Sequence, residues 1–315
     1  MNKIFAYLKK YNSYYYLLLA FLCLTPWITP PIALFLGLAF ALTLGSPFPV
    51  FNRKASKYLL QIAVVGLGFG MNLHESLKAG ADGILFTVVS VVSVMIIGIV
   101  FGRFLKVNPK TAYLISSGTA ICGGSAIAAT APIVKADEAE MSVSLATIFM
   151  LNAVALFVFP VLGHLLQLSQ NQFGTWAAIA IHDTSSVVGA GAAYGEEALK
   201  VATTVKLTRA LWIIPLSIFT AFYFKSKNEK MYIPWFILFF IVAMILNTYL
   251  NIPKTVTASI VSVSRQCLTL TLFFIGAGLS RAAIKTVGVK PFVLGVSLWF
   301  FIGVISLGFV YLYYR

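Results

Sequence analysis

The chain has 315 residues, of which 60% are hydrophobic and 10% are charged, and its net charge is +14. This composition excludes a soluble protein, and the basic excess is typical of the cytoplasmic loops of membrane proteins rather than of a nucleic-acid-binding surface. Cys23, Cys122 and Cys267 lie within apolar runs and indicate neither a disulfide framework nor a metal site. We therefore predict an all-α transmembrane protein with a single polytopic membrane domain over residues 1–315 and no cofactor.

Hydropathy, prolines and glycines divide the chain into eleven candidate spans. The predicted spans are 13–25, 31–45, 58–73, 83–104, 111–134, 141–167, 174–193, 198–224, 233–250, 256–284 and 291–313. The first span is expected to stay uncleaved, because Pro26 and Trp27 follow it where a signal peptide would have small residues.

The distribution of Lys and Arg predicts that the N-terminus lies inside the cell and the C-terminus outside. Fifteen of these residues fall in predicted cytoplasmic segments and five in outer segments, which is the bias expected of a membrane protein. The cytoplasmic set is Lys3, Lys9, Lys10, Arg53, Lys54, Lys57, Arg103, Lys106, Lys110, Lys225, Lys227, Lys230, Arg281, Lys285 and Lys290. The outer set is Lys78, Lys135, Lys200, Lys254 and Arg315. The predicted cytoplasmic loop 168–173 contains neither residue type.

Eleven spans equal one extra span plus two groups of five, over about 31–167 and about 174–313. Because a group with an odd number of spans inserts upside down when it is repeated, the two groups are predicted to be inverted repeats around a site near the middle of the membrane. In this scheme the fifth span corresponds to the tenth. Ser262, Ser264 and Gly276 predict a second helix break in that tenth span.

A stretch rich in glycine and hydroxyl groups interrupts the fifth span. Lipid cannot satisfy the backbone groups of a broken helix, so the break must face protein, water or a bound ligand. The ends of two half-helices present free N–H groups to a solute, and glycine allows the backbone to approach it closely. The predicted solute-binding residues of this break are Gly118, Thr119, Cys122, Gly123, Gly124 and Ser125. The alternative is a kinked, closely packed helix; Asn152 could line the same cavity or bond across helices.

Three basic residues remain inside predicted spans: Lys206, Arg209 and Arg265. A charge within lipid is costly, so we predict that these side chains face the protein interior and bind the solute. For Lys206 and Arg209 the alternative is that they lie near the end of their span and extend to the interface.

Asp183 is the one acidic residue predicted deep in the membrane, where it follows His182 in a polar cluster. Both residues are candidates for ion coupling, because histidine titrates near neutral pH. The alternative is a permanent ion pair between Asp183 and Lys206 or Arg209. With His182 neutral, three cations and one carboxylate leave two net positive charges, which favours an anionic solute. The predicted solute-binding hydroxyl groups of the cluster are Thr184, Ser185 and Ser186.

Three segments resemble the sulfate exporter family, the YeiH-like bacterial membrane proteins. They are SSGTAICGGSAIAATAPIVKA (116–136), AIHDTSSVVGAGAAYG (180–195) and ATTVKLTRALWIIPL (202–216). Residues 59–73 and 273–279 are similar to that family as well. The resemblance implies a transporter of the bacterial inner membrane for sulfate or related sulfur oxyanions. It also implies a fold similar to bile-acid symporters and cation/proton antiporters, in which two broken helices cross.

These features predict a secondary transporter, not an enzyme, that exports a small inorganic anion such as sulfate, sulfite or thiosulfate by alternating access. The chain has no phosphate-binding loop sequence for ATP. A proton or sodium ion is the expected coupling partner, and a homodimer is expected from similar transporter folds. The alternative is a cation/proton antiporter that uses Asp183. An intramembrane enzyme with His182 and Asp183 is disfavoured, because no catalytic or metal-binding set accompanies them.

Overall fold

A computed structural model describes residues 12–25, 27–74, 84–224, 235–250, 252–278 and 288–313. Within these residues the chain forms fourteen α-helices and no strand, which confirms the prediction of an all-helical protein. The helices are α1 Asn12–Leu22, α2 Pro30–Thr43, α3 Pro49–Gly68, α4 Ile84–Phe104, α5 Pro109–Ala120, α6 Gly124–Ile133, α7 Glu138–Leu165, α8 Gln170–Ala180, α9 Thr184–Tyr194, α10 Glu196–Ala210, α11 Ile213–Tyr223, α12 Trp235–Tyr249, α13 Lys254–Gly278 and α14 Val289–Tyr313.

Among the described residues, five helical segments are long and apolar enough to cross a membrane. They are Phe86–Phe104, Ala139–Leu165, Glu196–Tyr223, Lys254–Gly278 and Val289–Tyr313. Their outer faces carry large apolar side chains, such as Ile96 and Phe300, which are 57% and 72% exposed. Exposed apolar surface of this extent is suited to lipid rather than to water.

The chain divides into two compact units. Unit one comprises Met1–Leu73 with Trp235–Ala283, and unit two comprises His74–Pro234 with Ile284–Arg315. In unit one, α2 and α13 approach so closely that a Cβ atom on Gly37 would overlap the carbonyl oxygen of Phe273, and one on Gly276 that of Leu34. Glycine thus lets the two backbones touch, as in many membrane helix pairs.

Helix α13 is continuous over Lys254–Gly278, so the break predicted in the tenth span is wrong. The Ser264 hydroxyl donates to the carbonyl of Ile260 at 2.7 Å, one turn earlier in the same helix. A serine that bonds back to its own helix satisfies its hydroxyl without interrupting the backbone ladder. The pairing of the fifth span with the tenth therefore has no second break to support it.

In unit two, α5 and α6 fold back on each other to form hairpin A, residues 109–133. The hydroxyl oxygens of Ser117 and Thr130 are 3.2 Å apart, and the Lys110 ammonium donates to the carbonyl of Lys135 at 2.6 Å. If α5 and α6 were collinear, these two pairs would be about 20 Å and about 38 Å apart at 1.5 Å per residue. The fifth predicted span is therefore a re-entrant hairpin.

Helices α8 and α9 form a second hairpin, hairpin B, residues 170–194. The Tyr194 hydroxyl donates to the carbonyl of Leu168 at 2.6 Å, and the rings of Phe173 and Tyr194 stack with centroids 3.8 Å apart. In a collinear arrangement Leu168 and Tyr194 would be about 39 Å apart. The seventh predicted span therefore also turns back at its middle.

The open ends of the two hairpins lie at opposite ends of unit two, because the long helix α7 runs from one open end to the other. At the start of α7, Glu140 lies 3.9 Å from the Lys110 ammonium at the open end of hairpin A. At its other end, α7 leads directly into Leu168, beside the open end of hairpin B. Between these points the 28 residues of α7 extend for about 42 Å.

The end of unit two where hairpin A opens is the basic end. A cavity of about 380 Å³ at this end is lined by Lys106, Glu140 and Lys290. Lys110 lies beside Glu140 and donates to the backbone carbonyl of Lys135. Since cytoplasmic loops collect Lys and Arg, this end is the predicted cytoplasmic one.

The count of eleven crossings is thus wrong at the fifth and seventh predicted spans, but the two errors cancel. Each hairpin returns to the end at which it entered, so the orientation predicted for the segments after residue 194 is unchanged. Lys135 moves to the basic end, and the loop 168–173 moves to the opposite end. That position accounts for the absence of Lys and Arg from the loop.

Part of the charge count lies outside the described residues. The residues concerned are Lys3, Lys9, Lys10, Lys78, Lys225, Lys227, Lys230, Arg281, Lys285 and Arg315, together with the side chains of Arg53 and Lys57. The overall orientation and the inverted repeat stay predictions.

Candidate functional site

The tips of the two hairpins meet inside unit two. Tip A is residues 121–123 and tip B is residues 181–183. A Cβ atom on Gly123 would lie 3.4 Å from both the Cα atom of Asp183 and the carbonyl carbon of His182. Gly123 also has φ +66° and ψ −123°, a conformation that side chains other than glycine rarely adopt. Glycine at this position therefore allows both the sharp turn and the contact between the tips.

Lys206 on α10 joins the two tips. Its ammonium group donates to the carbonyls of Ile121 at 3.0 Å, Ile181 at 2.8 Å and Ala178 at 3.3 Å, and the side chain is fully buried. Three acceptors match the three donors of a protonated lysine. The carbonyls belong to the C-terminal ends of α5 and α8, where a positive charge is favourable because of the helix dipole.

Arg209 lies one turn further along α10 and binds the end of α5. Its Nε and Nη2 donate to the carbonyl of Ala120 at 2.9 and 2.6 Å, and its Nη1 donates to the Ser90 hydroxyl of α4 at 3.0 Å. The side chain is 1% exposed. Arg209 and Lys206 are thus interior residues, and the alternative that they extend to the membrane interface is wrong.

Asp183 caps the N-terminus of α9. Its carboxylate accepts from the Ser186 N–H at 3.2 Å, from the Ser186 hydroxyl at 3.4 Å and from the Ser185 hydroxyl. No ion pair in the described part of the chain joins Asp183 to Lys206 or Arg209. The alternative of a permanent ion pair is therefore wrong, and Asp183 instead compensates the positive end of a helix.

Asn152 on α7 holds tip B in place. Its Oδ1 accepts from the backbone N–H groups of His182 at 3.1 Å and Asp183 at 3.4 Å. Of the two sequence-based alternatives for Asn152, the structure shows bonding across helices. Ser90 was not predicted, and its only sequence signal is a hydroxyl within the apolar run of α4.

Several buried polar atoms beside the tips have no hydrogen-bond partner within the described residues. They are Oγ1 of Thr119, Nδ2 of Asn152, and both ring nitrogens of His182. Buried polar atoms in folded proteins nearly always have a partner. In addition, Gly123, the residue before α6, has no side chain that could bond the first N–H groups of this helix, although the Cys122 sulfur bonds the N–H of Ala126. Gly124 and Ser125, the first residues of α6, are half-buried. The tips thus offer polar groups that the protein itself leaves unsatisfied.

The remaining predicted residues belong to the two hairpins of unit two, except Arg265. Gly118 packs inside hairpin A, where a Cβ atom would lie 3.0 Å from Ile127, and Cys122 is buried in tip A. Thr184 is buried at the start of α9. Arg265 belongs to α13 of unit one, whereas the other predicted site residues belong to unit two. The role of Arg265 stays a prediction.

The chain matches several relatives that are described as membrane proteins. A family model described as "Conserved hypothetical protein 698" matches residues 17–295. A "UPF0324 membrane protein" of Bacteroides thetaiotaomicron is 62% identical over 288 residues, which cover 90% of this chain and 87% of that protein. One of Porphyromonas gingivalis is 59% identical over 293 residues, covering 91% and 88%. One of Shewanella oneidensis is 46% identical over 315 residues, covering 100% and 99%.

No solved structure matches the chain. The names of the relatives confirm that such chains are membrane proteins, and they state no substrate. The resemblance to sulfate exporters is therefore supported at the level of a membrane protein family and not at the level of the substrate.

Proposed function

We propose that this chain, which belongs to the conserved hypothetical protein 698 family of membrane proteins, is a secondary transporter of a small inorganic anion. The observation that carries the proposal is the meeting of two hairpin tips around buried cations. Four helix ends converge there: the C-terminal ends of α5 and α8 and the N-terminal ends of α6 and α9. Charged side chains bind three of these ends, and the N-terminus of α6 has no such partner.

The charge at the tips supports an anionic substrate. Lys206 and Arg209 supply two positive charges and Asp183 supplies one negative charge. The partial charges of the four helix ends, about half a unit each, cancel because two are positive and two are negative. The cluster is therefore positive by about one charge, and its burial makes the attraction for an anion strong. A cationic substrate would be repelled by this net positive charge.

The hairpins also suit alternating access. Hairpin A lies between the tips and the basic end of unit two, and hairpin B lies between the tips and the opposite end. Movement of one hairpin would open the cluster to one side of the membrane while the other keeps it closed. We propose that the protein exports a sulfur oxyanion across the bacterial inner membrane in this way.

The test is transport by the purified protein in liposomes. Labelled sulfate, sulfite and thiosulfate would be presented with an imposed proton or sodium gradient, and protein-free liposomes would be the control. The proposal requires saturable uptake of at least one of these anions. If no anion is taken up under either gradient, the proposal is wrong.

A cation/proton antiporter is the second candidate, because Asp183 is a half-buried carboxylate at tip B. Asp183→Asn separates the two functions, since asparagine is also a good N-cap and should keep α9 in place. An antiporter would lose its cation-dependent proton flux in this variant. An anion transporter would still bind its substrate, because the site becomes more positive.

A further inference from the structure

The N-terminus of α6 differs from the other three helix ends at the tips, because no charged side chain among the described residues bonds it. In an α-helix the first N–H groups have no partner within the helix. Gly123, the residue before α6, has no side chain with which to bond them, and the first two residues of α6 are half-buried rather than exposed. The N–H groups of Gly124 and Ser125 therefore lie beside the tips, at the positive end of the helix dipole, without a capping side chain.

A buried donor that lacks a partner lies at the same place. The Asn152 amide is fixed on tip B by the two bonds that its Oδ1 accepts, and tip B contacts Gly123 directly. Asn152 is 3% exposed, and its Nδ2 has no hydrogen-bond partner among the described residues. Because Nδ2 can only donate, it requires an acceptor such as an anion oxygen or water.

Two further unpartnered groups differ from Asn152 in their hydrogen-bonding capacity. The Thr119 hydroxyl can both donate and accept. A neutral His182 ring has one nitrogen that donates and one that accepts. A fully deprotonated anion could satisfy the donors of this set, but it has no hydrogen atom for the acceptor nitrogen of the ring.

We infer that the site binds a singly charged, protonated oxyanion of the hydrogen sulfite type, with its oxygens at the N-terminus of α6 and at Asn152. This inference rests on the proposed function and specifies its substrate. A monoanion neutralises the single net positive charge of the tips, whereas sulfate would leave one negative charge buried. Burial of an uncompensated charge is costly, so the dianion is disfavoured.

The experiment compares sulfite with sulfate in proteoliposomes at pH 6 and pH 8. Sulfite is increasingly deprotonated over this range, whereas sulfate is a dianion throughout. The pH response of sulfate transport therefore reports on the titratable groups of the tips themselves, which are Lys206, Asp183, His182 and Cys122. We expect the half-saturation concentration for total sulfite to rise about tenfold between pH 6 and pH 8, beyond any change for sulfate. At pH 6 sulfate should bind at least tenfold more weakly than sulfite.

Sulfate that binds as tightly as sulfite at pH 6 would overturn the inference and leave anion transport intact. Absence of flux for every anion is a different result, because it would remove the proposed function itself.

Two variants test the binding residues. Thr119→Val removes a hydroxyl that bonds none of the described residues, so the protein should fold normally while the half-saturation concentration for sulfite rises about tenfold. Asn152→Asp keeps the acceptor oxygen for tip B, removes the donor and cancels the net positive charge, so a rise of more than a hundredfold is expected. Ser144→Ala on the same helix is the control, because the Ser144 hydroxyl bonds only to carbonyls of Glu140 and Thr111. Unchanged sulfite transport in both test variants would contradict the assignment.

Discussion

Lys206 provides the sharpest test of how the tips are held together. The variant Lys206→Met keeps most of the side-chain volume and removes the ammonium group. The carbonyls of Ile121, Ala178 and Ile181 then lose their shared donor inside the protein. Each buried carbonyl without a partner costs about 1–3 kcal/mol. The variant also no longer has to bury a charge, which offsets part of this cost.

Three such carbonyls would cost about 3–9 kcal/mol before that offset, so a net loss of about 3 kcal/mol or more is expected. Thermal unfolding of the purified protein in detergent measures it, and a decrease in Tm on the order of 10 °C is expected. Lys200→Met is the matched control on the same helix. Lys200 is exposed and lies 3.8 Å from the exposed Glu197, so its replacement should change the stability by less than about 1 kcal/mol.

Equal unfolding temperatures for Lys206→Met and Lys200→Met would contradict this prediction. Such a result would mean that the ammonium group does not satisfy the ends of α5 and α8 in the folded protein. The contact between the two tips would then have to be stable without the cation.

Three more predictions follow from the same contacts. Gly123→Ala places a side chain at φ +66° and should cost about 1–3 kcal/mol, seen as a lower Tm, whereas Gly303→Ala, with open space around the Cβ position, should not lower it. Ser90→Ala leaves one N–H of a buried guanidinium without its acceptor and should cost about 1.5–3 kcal/mol in the same assay. In Lys135→Cys the new thiol should react with an impermeant reagent only from the cytoplasmic side, and in Lys200→Cys only from outside. Reaction of both thiols from the same side would refute the re-entrant topology.

The positions of several helices could be predicted from the sequence alone. The predicted span 83–104 corresponds to Ile84–Phe104, and 233–250 corresponds to Trp235–Tyr249. These limits are local, because an apolar run must stay in lipid and polar or Pro-rich segments end it. The break near Gly123 was predicted for the same reason, since its glycines favour a turn over a continuous helix.

The sequence also indicated that Lys206 and Arg209 face the interior, but it could not identify their partners. Both side chains bind carbonyls of hairpin tips that are distant along the chain, such as Ala120 and Ile181. Those carbonyls require donors only because the helices end at the tips. A donor can be assigned to them only when the folded positions of the tips are known.

By itself the sequence determined that this is a polytopic helical membrane protein with a broken helix near residue 121 and buried charges. Only the tertiary structure decided that residues 109–133 and 170–194 turn back instead of crossing. A broken apolar segment of about 25 residues has the same composition in either case. The choice between them depends on contacts between its two halves, such as Ser117 with Thr130 and Phe173 with Tyr194, which form only when the chain has folded.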